Sequence, residues 1–374
     1  MITEPIGVYL HIPYCVKRCN YCDFCSSSCG ACGVPENYVN RLCKEILSYK
    51  GEEKILASTV FFGGGTPSLL TPIQLEKIIS ALDLVFDFLP DAEFTLEANP
   101  GTLDENKLAK FKSLGVNRLS LGMQSMHENE LSALGRIHTH VDLLSAISMA
   151  RKAGFDNVSC DLMYGIPHQS LDSFYKTLKE VISLSPEHVS VYGLMLEEGT
   201  PFFEMQKSLP LPSEDEECEM FYLADKLLIQ AGYTHYEISN YAKEGRESRH
   251  NLKYWQAEEY IGFGAAASSY YKGKRFTNTS SIDEYLNKAG VCYTISETLS
   301  ETDLAYEYAM LHLRLKRGIS LNEYRARFSK DFTLGKEKTI DRLLSLGLIV
   351  FDKERLALTT RGYYLSNTVL TELL

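Results

Sequence analysis

Short apolar runs alternate with longer stretches of helical period along residues 7–240. The runs Gly7–Ile12, Ser58–Phe62, Glu93–Glu97, Asn117–Gly122, Asn157–Met163, His188–Leu194 and Thr234–Ser239 predict strands. Between them, Thr71–Phe88, Leu103–Ser113, Val141–Ala153, Leu171–Leu184 and Ser213–Ala231 space their apolar residues as amphipathic helices do. Several carry Ser, Thr or Asp near their starts, where a side-chain oxygen caps free amides. Repeated strand–helix units imply an α/β fold with a parallel sheet. Six or seven such units suit an open, partial parallel β/α barrel better than a closed one of eight.

Beyond residue 240 the pattern changes. Residues 240–275 look irregular and rich in glycine. Residues 301–374 read as helices followed by a hairpin, the order of a winged helix in a small α+β domain. The expected division is 1–240, a connecting segment 241–300, and 301–374.

Unusual residues gather where the predicted strands end. Cys15 follows the first, Gly63-Gly64-Gly65-Thr66-Pro67-Ser68 the second, and Glu97-Ala98-Asn99-Pro100 closes the third. Met123-Gln124-Ser125 follows the fourth, and Asp161 lies near the end of the fifth. In parallel α/β barrels this rim carries the chemistry.

Cys15, Cys19 and Cys22 have the spacing C-x3-C-x2-C. Three thiolates at a strand end can hold an iron–sulfur cluster and leave one iron open; zinc or coincidence is the plainer alternative. Cys25, Cys29 and Cys32 repeat the spacing in a stretch rich in Ser and Gly. They read equally as non-ligands or as an accessory metal site. Glu97, Gln124, Arg136 and Asp161 are each ordinary as a cap or surface group. As a set they suit a zwitterionic, hydroxyl-bearing ligand such as an amino acid joined to a nucleoside. Gly63-Gly64-Gly65 lets a ligand approach the backbone, and no Gly-Lys-Ser/Thr follows to make a phosphate loop. His250, beside Tyr254 and the single Trp255, reads either as a hydrogen-bonded loop residue or as an axial haem ligand with aromatic packing. Gly262-Phe263-Gly264-Ala265-Ala266-Ala267 mimics a dinucleotide fingerprint without the strand–helix–strand unit that such a site needs.

Composition narrows the picture. The chain has 374 residues, 45% hydrophobic and 23% charged, as soluble globular proteins do. Its net charge of −11 argues against nucleic acid as a partner. No apolar run approaches a membrane span, and Met1-Ile2-Thr3-Glu4-Pro5 does not look like a signal peptide. A cytoplasmic location is expected, so the ten cysteines read as ligands and buried thiols rather than disulfides.

Together these residues resemble the radical S-adenosylmethionine (SAM) superfamily, in the branch of oxygen-independent coproporphyrinogen III oxidases and HemW-type haem chaperones. The resemblance covers nearly the whole chain. It runs through Tyr9-x-His11-Ile12-Pro13-x-Cys15, Gly63 to Ser68, Glu97 to Pro100, Arg118 to Ser125, Leu134-Gly135-Arg136-x-His138, Asp161 to Pro167, Tyr236 to Tyr241 and His250-Asn251-x-x-Tyr254-Trp255. It implies a 4Fe–4S cluster on Cys15, Cys19 and Cys22, with SAM on its open iron. Tyr9 would lie near the cluster. Gly64, Gly65 and Thr66 would line the methionine end, and Glu97, Gln124, Arg136 and Asp161 would hold the rest. In that superfamily the cluster supplies an electron that cleaves SAM to methionine and a deoxyadenosyl radical.

The oxidases of this branch carry a longer N-terminal segment and a fourth cysteine where this chain has Phe24. Cys22-Asp23-Phe24 and the His250 motif, which is associated with haem in the chaperones, point to that side. The resemblance therefore implies a haem-binding protein that passes haem to apo-haemoproteins such as respiratory-chain subunits. The alternative is a radical SAM decarboxylase of coproporphyrinogen III or of another tetrapyrrole. Ala266 and Ser268 stand where the family pattern leads one to expect Gly and His, and Cys25, Cys29 and Cys32 are additional to it.

Overall fold

The computed structural model describes residues 4–288, 290 and 293–374. The first three residues of the N-terminal stretch read for a leader lie outside it.

Twelve strands form one sheet. In chain order they are β1 (Ile6–Ile12), β2 (Ile55–Gly64), β3 (Phe86–Ala98), β4 (Arg118–Gln124), β5 (Val158–Tyr164), β6 (His188–Gly193), β7 (Thr234–Glu237), β8 (Asn240–Ala242), β9 (Tyr260–Phe263), β10 (Ser268–Tyr271), β11 (Lys274–Asn278) and β12 (Tyr293–Thr298). The spatial order is β12-β11-β10-β9-β1-β2-β3-β4-β5-β6-β8-β7. Strands β1 to β6 run parallel, and β9 joins β1 in the same sense. The outer pairs are antiparallel.

The alternation within each strand builds two different faces. On β1, Val8, Leu10 and Ile12 are fully buried in the main core, while Tyr9 and His11 point to the other side. The helices Glu36–Leu47, Pro72–Asp83, Glu105–Ser113, His140–Lys152, Leu171–Leu184 and Glu214–Gln230 contribute apolar residues to that core. Four of them begin with a reciprocal capping box: Thr71 with Gln74, Thr139 with Asp142, Ser170 with Ser173, and Ser213 with Glu216.

Three expectations change. Phe86–Phe88, read as the end of a helix, pairs with Ile55–Ala57 as the start of β3. The alternation of Phe86 and Phe88 has strand period, and it wins once Ile55 offers a partner. The run Thr234–Ser239 is not a further parallel unit. Only Ile238 and Ser239 separate β7 from β8, and two residues can make a hairpin but not a crossover. Residues 240–275, read as irregular, supply β8, β9, β10, the start of β11 and the helix Arg249–Trp255. Within them, Gly262–Ala267 is the end of β9 and a turn into antiparallel β10, not a strand-to-helix loop.

The C-terminal part has its own core, with Ala309, Leu313, Ile319, Leu343, Leu356 and Val369 at its centre. Helices Glu301–His312, Leu321–Phe328 and Glu337–Ser345 precede the hairpin Ile349–Phe351/Arg355–Leu358. Among the described residues no helix is long and apolar enough to cross a membrane.

One buried carboxylate ties the first helix to the late strands. Glu45, 3% exposed, accepts from the Gly264 amide (3.0 Å), Asn278 Nδ2 (2.7 Å) and the Tyr285 hydroxyl (2.6 Å). Removing the acceptor strands these buried donors, so Glu45→Ala should cost roughly 2–4 kcal/mol. Urea unfolding of the metal-free protein reads this, and a midpoint equal to wild type would refute the coupling.

Candidate functional site

The cysteine loop leaves β1 through Pro13 and folds against the glycine turn after β2. Tyr14–Cys15 pairs with Ser27–Ser28 in a short parallel bridge. Gly65 donates its amide to the Ile12 carbonyl at 2.9 Å. A Cβ on Gly65 would come within 2.8 Å of the Tyr14 backbone and 3.0 Å of Cys15 Sγ, so only glycine fits. Farther along, Asn20 is fastened to the end of the helix Glu128–Ala133. Its backbone amide donates to the Leu134 carbonyl (3.0 Å), and its side chain to the Ala133 carbonyl (2.9 Å).

Thr66 Oγ1 donates to Cys15 Sγ at 3.4 Å, and Arg136 Nη1 to Cys19 Sγ at 3.5 Å. Burial raises the Cys15 and Cys22 thiols, opposed by Thr66 at the first and by the Phe24 amide at the second. Metal coordination would supply the missing positive charge. Among the described residues no three His, Cys, Asp or Glu side chains converge on a single ion. Ligands of a cluster bind separate irons and need not converge.

Arg136, Asn99 and Thr66 form a hydrogen-bonded chain beside this loop and Glu97 reaches the glycine turn, whereas Gln124 and Asp161 lie on the neighbouring strands with no bond to the loop among the described residues. Arg136 also donates through Nη2 to the Gly122 carbonyl (2.6 Å) and to Asn99 Oδ1. Asn99 Nδ2 in turn donates to Thr66 Oγ1 at 3.0 Å. Asn99 was not singled out from sequence, although its place before Pro100 at the end of β3 was a usable signal. Gln124 adopts φ 61° at a register shift between β4 and β5, and its buried Oε1 has no hydrogen-bond partner. Such an orphan acceptor is costly unless a ligand donates to it. Glu97 Oε2 accepts from the Gly64 amide at 3.2 Å, linking β3 to the glycine turn. Burial lifts the Glu97 carboxyl to about 8, and the negative Asp161 adds to the shift. Asp161 sits mid-strand on β5 and accepts from Ser120 (3.0 Å) and Ser159 (3.2 Å). Tyr9 lies on the same face, its hydroxyl 2.9 Å from His11 Nδ1.

His250 does not join this group. It is fully buried at the start of the helix Arg249–Trp255, where its ring faces Gly7 at the opposite end of β1 from Cys15. Its Nδ1 is 2.8 Å from Thr59 Oγ1, and its Nε2 is 2.8 Å from the Tyr254 hydroxyl. Burial, with Lys253 and Arg118 adding, lowers the imidazole to about 3, so it is neutral. Tyr254 separates it from a cavity of 560 Å³ that Tyr9, His11, Phe24, Cys25 and Met310 also line.

Residues 9–181 match the Radical SAM superfamily, and residues 299–365 match the HemN C-terminal domain. The heme chaperone HemW of Lactococcus lactis subsp. lactis is 35% identical over 100% of this chain and 98% of its own length. This chain belongs to the HemW family. The HemW of Bacillus subtilis is 36% identical over 97% of both chains. In fold, this HemW-family chain is similar to the coproporphyrinogen III oxidase HemN of Escherichia coli, with a TM-score of 0.85 over 99% of this chain and 90% of that one, at 22% identity.

Membership of the radical SAM superfamily implies a 4Fe–4S cluster and SAM. The residues present fit both groups. The cysteine loop offers three thiols and no competing side chain at Gly65, and the buried Gln124 oxygen awaits a donor.

Two outcomes are expected. Gly65→Ala should displace the Tyr14–Cys15 backbone and lower the iron bound after anaerobic reconstitution; full iron content would remove the steric argument. Glu97 is protonated in the folded chain at pH values where the unfolded chain has lost the proton. Its contribution therefore falls as pH rises from the ordinary carboxylate range through about 8. In the metal-free protein, the melting temperature of Glu97→Gln relative to wild type should rise across that window. A flat difference would refute the assignment.

Proposed function

We propose that this HemW-family protein binds haem and delivers it to apo-haemoproteins, respiratory-chain subunits among them, while holding a SAM-coordinated 4Fe–4S cluster. The supporting observation is identity of 35–36% to named heme chaperones along nearly the full length of both partners. Cys15, Cys19 and Cys22 are the proposed cluster ligands. Gly64, Gly65 and Thr66 take the methionine end of SAM; Glu97, Gln124, Arg136 and Asp161 take the remainder, with Tyr9 beside them. When bound, the cluster and SAM supply one-electron chemistry. The chain's own part is to exclude side chains at Gly65, to place Arg136 against the Cys19 sulfur, and to keep Glu97 protonated near neutral pH.

Haem is assigned to the cavity between Tyr9, Tyr254 and Met310. Its aromatic lining suits a macrocycle. His250 is the proposed iron ligand. Burial already keeps its imidazole neutral, as coordination requires. Tyr254 is the barrier, because its hydroxyl occupies His250 Nε2 and its ring lines the cavity. Turning Tyr254 aside would open that nitrogen to iron.

Haem titration followed by absorption spectroscopy tests this directly. His250→Ala should weaken haem binding or change the spectrum, whereas Tyr254→Phe, which frees Nε2, should bind at least as tightly as wild type. With SAM and coproporphyrinogen III under reducing, anaerobic conditions, no decarboxylated product should form. Turnover by the wild type, together with a His250→Ala haem spectrum like the wild type's, would overturn the chaperone reading in favour of the oxidase.

A further inference from the structure

The second set of cysteines lies against the cluster loop, and two of its members are the first and last residues of one turn. Cys32 donates its amide to the Cys29 carbonyl at 3.2 Å. A turn closed in this way holds its first and fourth Cα atoms within about 7 Å, close to the span of about 4.4–6.8 Å that a disulfide bridges. Gly30 (φ 58°) supplies the positive φ inside this turn, and Gly33 (φ 69°) follows it. Cys32 is exposed and Cys29 half-buried, so a solvent-borne reagent reaches the pair. Cys29 is also anchored to a proposed cluster ligand, its amide donating to the Cys15 carbonyl at 2.8 Å and its Sγ to the same oxygen at 3.3 Å. Cys25 is turned elsewhere, with its Sγ donating to the Ser280 carbonyl at 3.2 Å.

We propose that Cys29 and Cys32 are a redox-active dithiol that exchanges with low-molecular-weight disulfides of the glutathione type, and that its oxidation state is felt at Cys15. Exposed Cys32, as thiolate, attacks one sulfur of the external disulfide and expels one thiolate. Cys29 then attacks the Cys32 sulfur of the mixed disulfide and expels the second. The two protein thiols lose two electrons and two protons, and the external disulfide becomes two thiols. Oxidised Cys29 can no longer donate an S–H to the Cys15 carbonyl, which loosens one hold on the cluster loop.

The test uses anaerobic, cluster-loaded protein treated with oxidised glutathione. Differential alkylation and fragment-ion mass spectrometry should show Cys29 and Cys32 lost together as an intramolecular disulfide, restored by dithiothreitol. In Cys29→Ser the exchange should stall as a glutathione adduct on Cys32. Chelator-driven iron release, followed by absorbance, should be faster from the oxidised than from the reduced wild type and insensitive to glutathione disulfide in Cys29→Ser. The dithiol assignment is overturned if Cys32 stays alkylatable, if Cys25 is the bridging partner, or if a Cys29→Ser/Cys32→Ser variant loses a bound zinc or iron equivalent. Equal iron release from both redox states would overturn the link to Cys15.

Discussion

The contact between Gly65 and the cysteine loop sets the geometry on which the rest of the site depends. The ladder that pairs β1 with β2 up to Ile12 and Gly64 is extended by one hydrogen bond, from the Gly65 amide to the Ile12 carbonyl. The missing side chain lets the two backbones share a space that a methyl group would fill. Cys15 is thereby fixed relative to Thr66, and Thr66 relative to Asn99 and Arg136. Three strand exits are thus joined to one another and to Arg136, which also donates to the Gly122 carbonyl of β4. A parallel sheet favours this, because consecutive strands deliver their C-terminal ends to one rim.

Behind that rim the same face of the sheet is polar rather than apolar. Glu93, Arg118, His188 and His250 are all nearly or fully buried. The Arg118 charge acts on Glu97, Asp161, His188 and His250, lowering the proton affinity of each against what burial does to the carboxylates. Glu93 clamps the motif helix, its two oxygens accepting from the Arg249 and His250 amides at 3.1 Å. Replacing a buried charged set by hydrophobic residues is often neutral or stabilising, so stability alone does not account for it. A polar ligand on that face, as proposed, would account for it.

Much of this was legible in the chain itself. The helix Leu171–Leu184 matches the spacing of its apolar residues and the Ser170 cap. The strand-end placement of Cys15, Gly65, Glu97 and Gln124 follows from period-two runs ended by Gly, Pro and polar residues. What stayed hidden was non-local. The antiparallel edges depend on which strand finds a partner, and β9 joins β1 across the whole length of the main domain. The bonds that occupy both nitrogens of His250 come from Thr59, far away in sequence, and from Tyr254 at helical spacing. Only the second was within reach of a local pattern. Asn99 likewise acquires its role from Arg136 and Thr66, which no spacing connects to it.

The same strand carries both ends of the proposed chemistry. Gly7 of β1 packs against His250, and the exit of β1 leads to Cys15. At about 3.3 Å per residue, Gly7 and Ile12 lie roughly 17 Å apart. A haem iron on His250 and a cluster on Cys15, as proposed, would therefore occupy separate stations. Tyr9 lies between them, stacked near His250 at a centroid distance of 6.4 Å and joined to His11 through its hydroxyl. Tyr9 and His11 both line the cavity that reaches Tyr254 and Phe24. A ligand in that cavity would touch the motif helix at one end and the cysteine loop at the other. On the proposed assignments, the occupant of the cavity would be the one element in contact with both the cluster loop and the helix of His250.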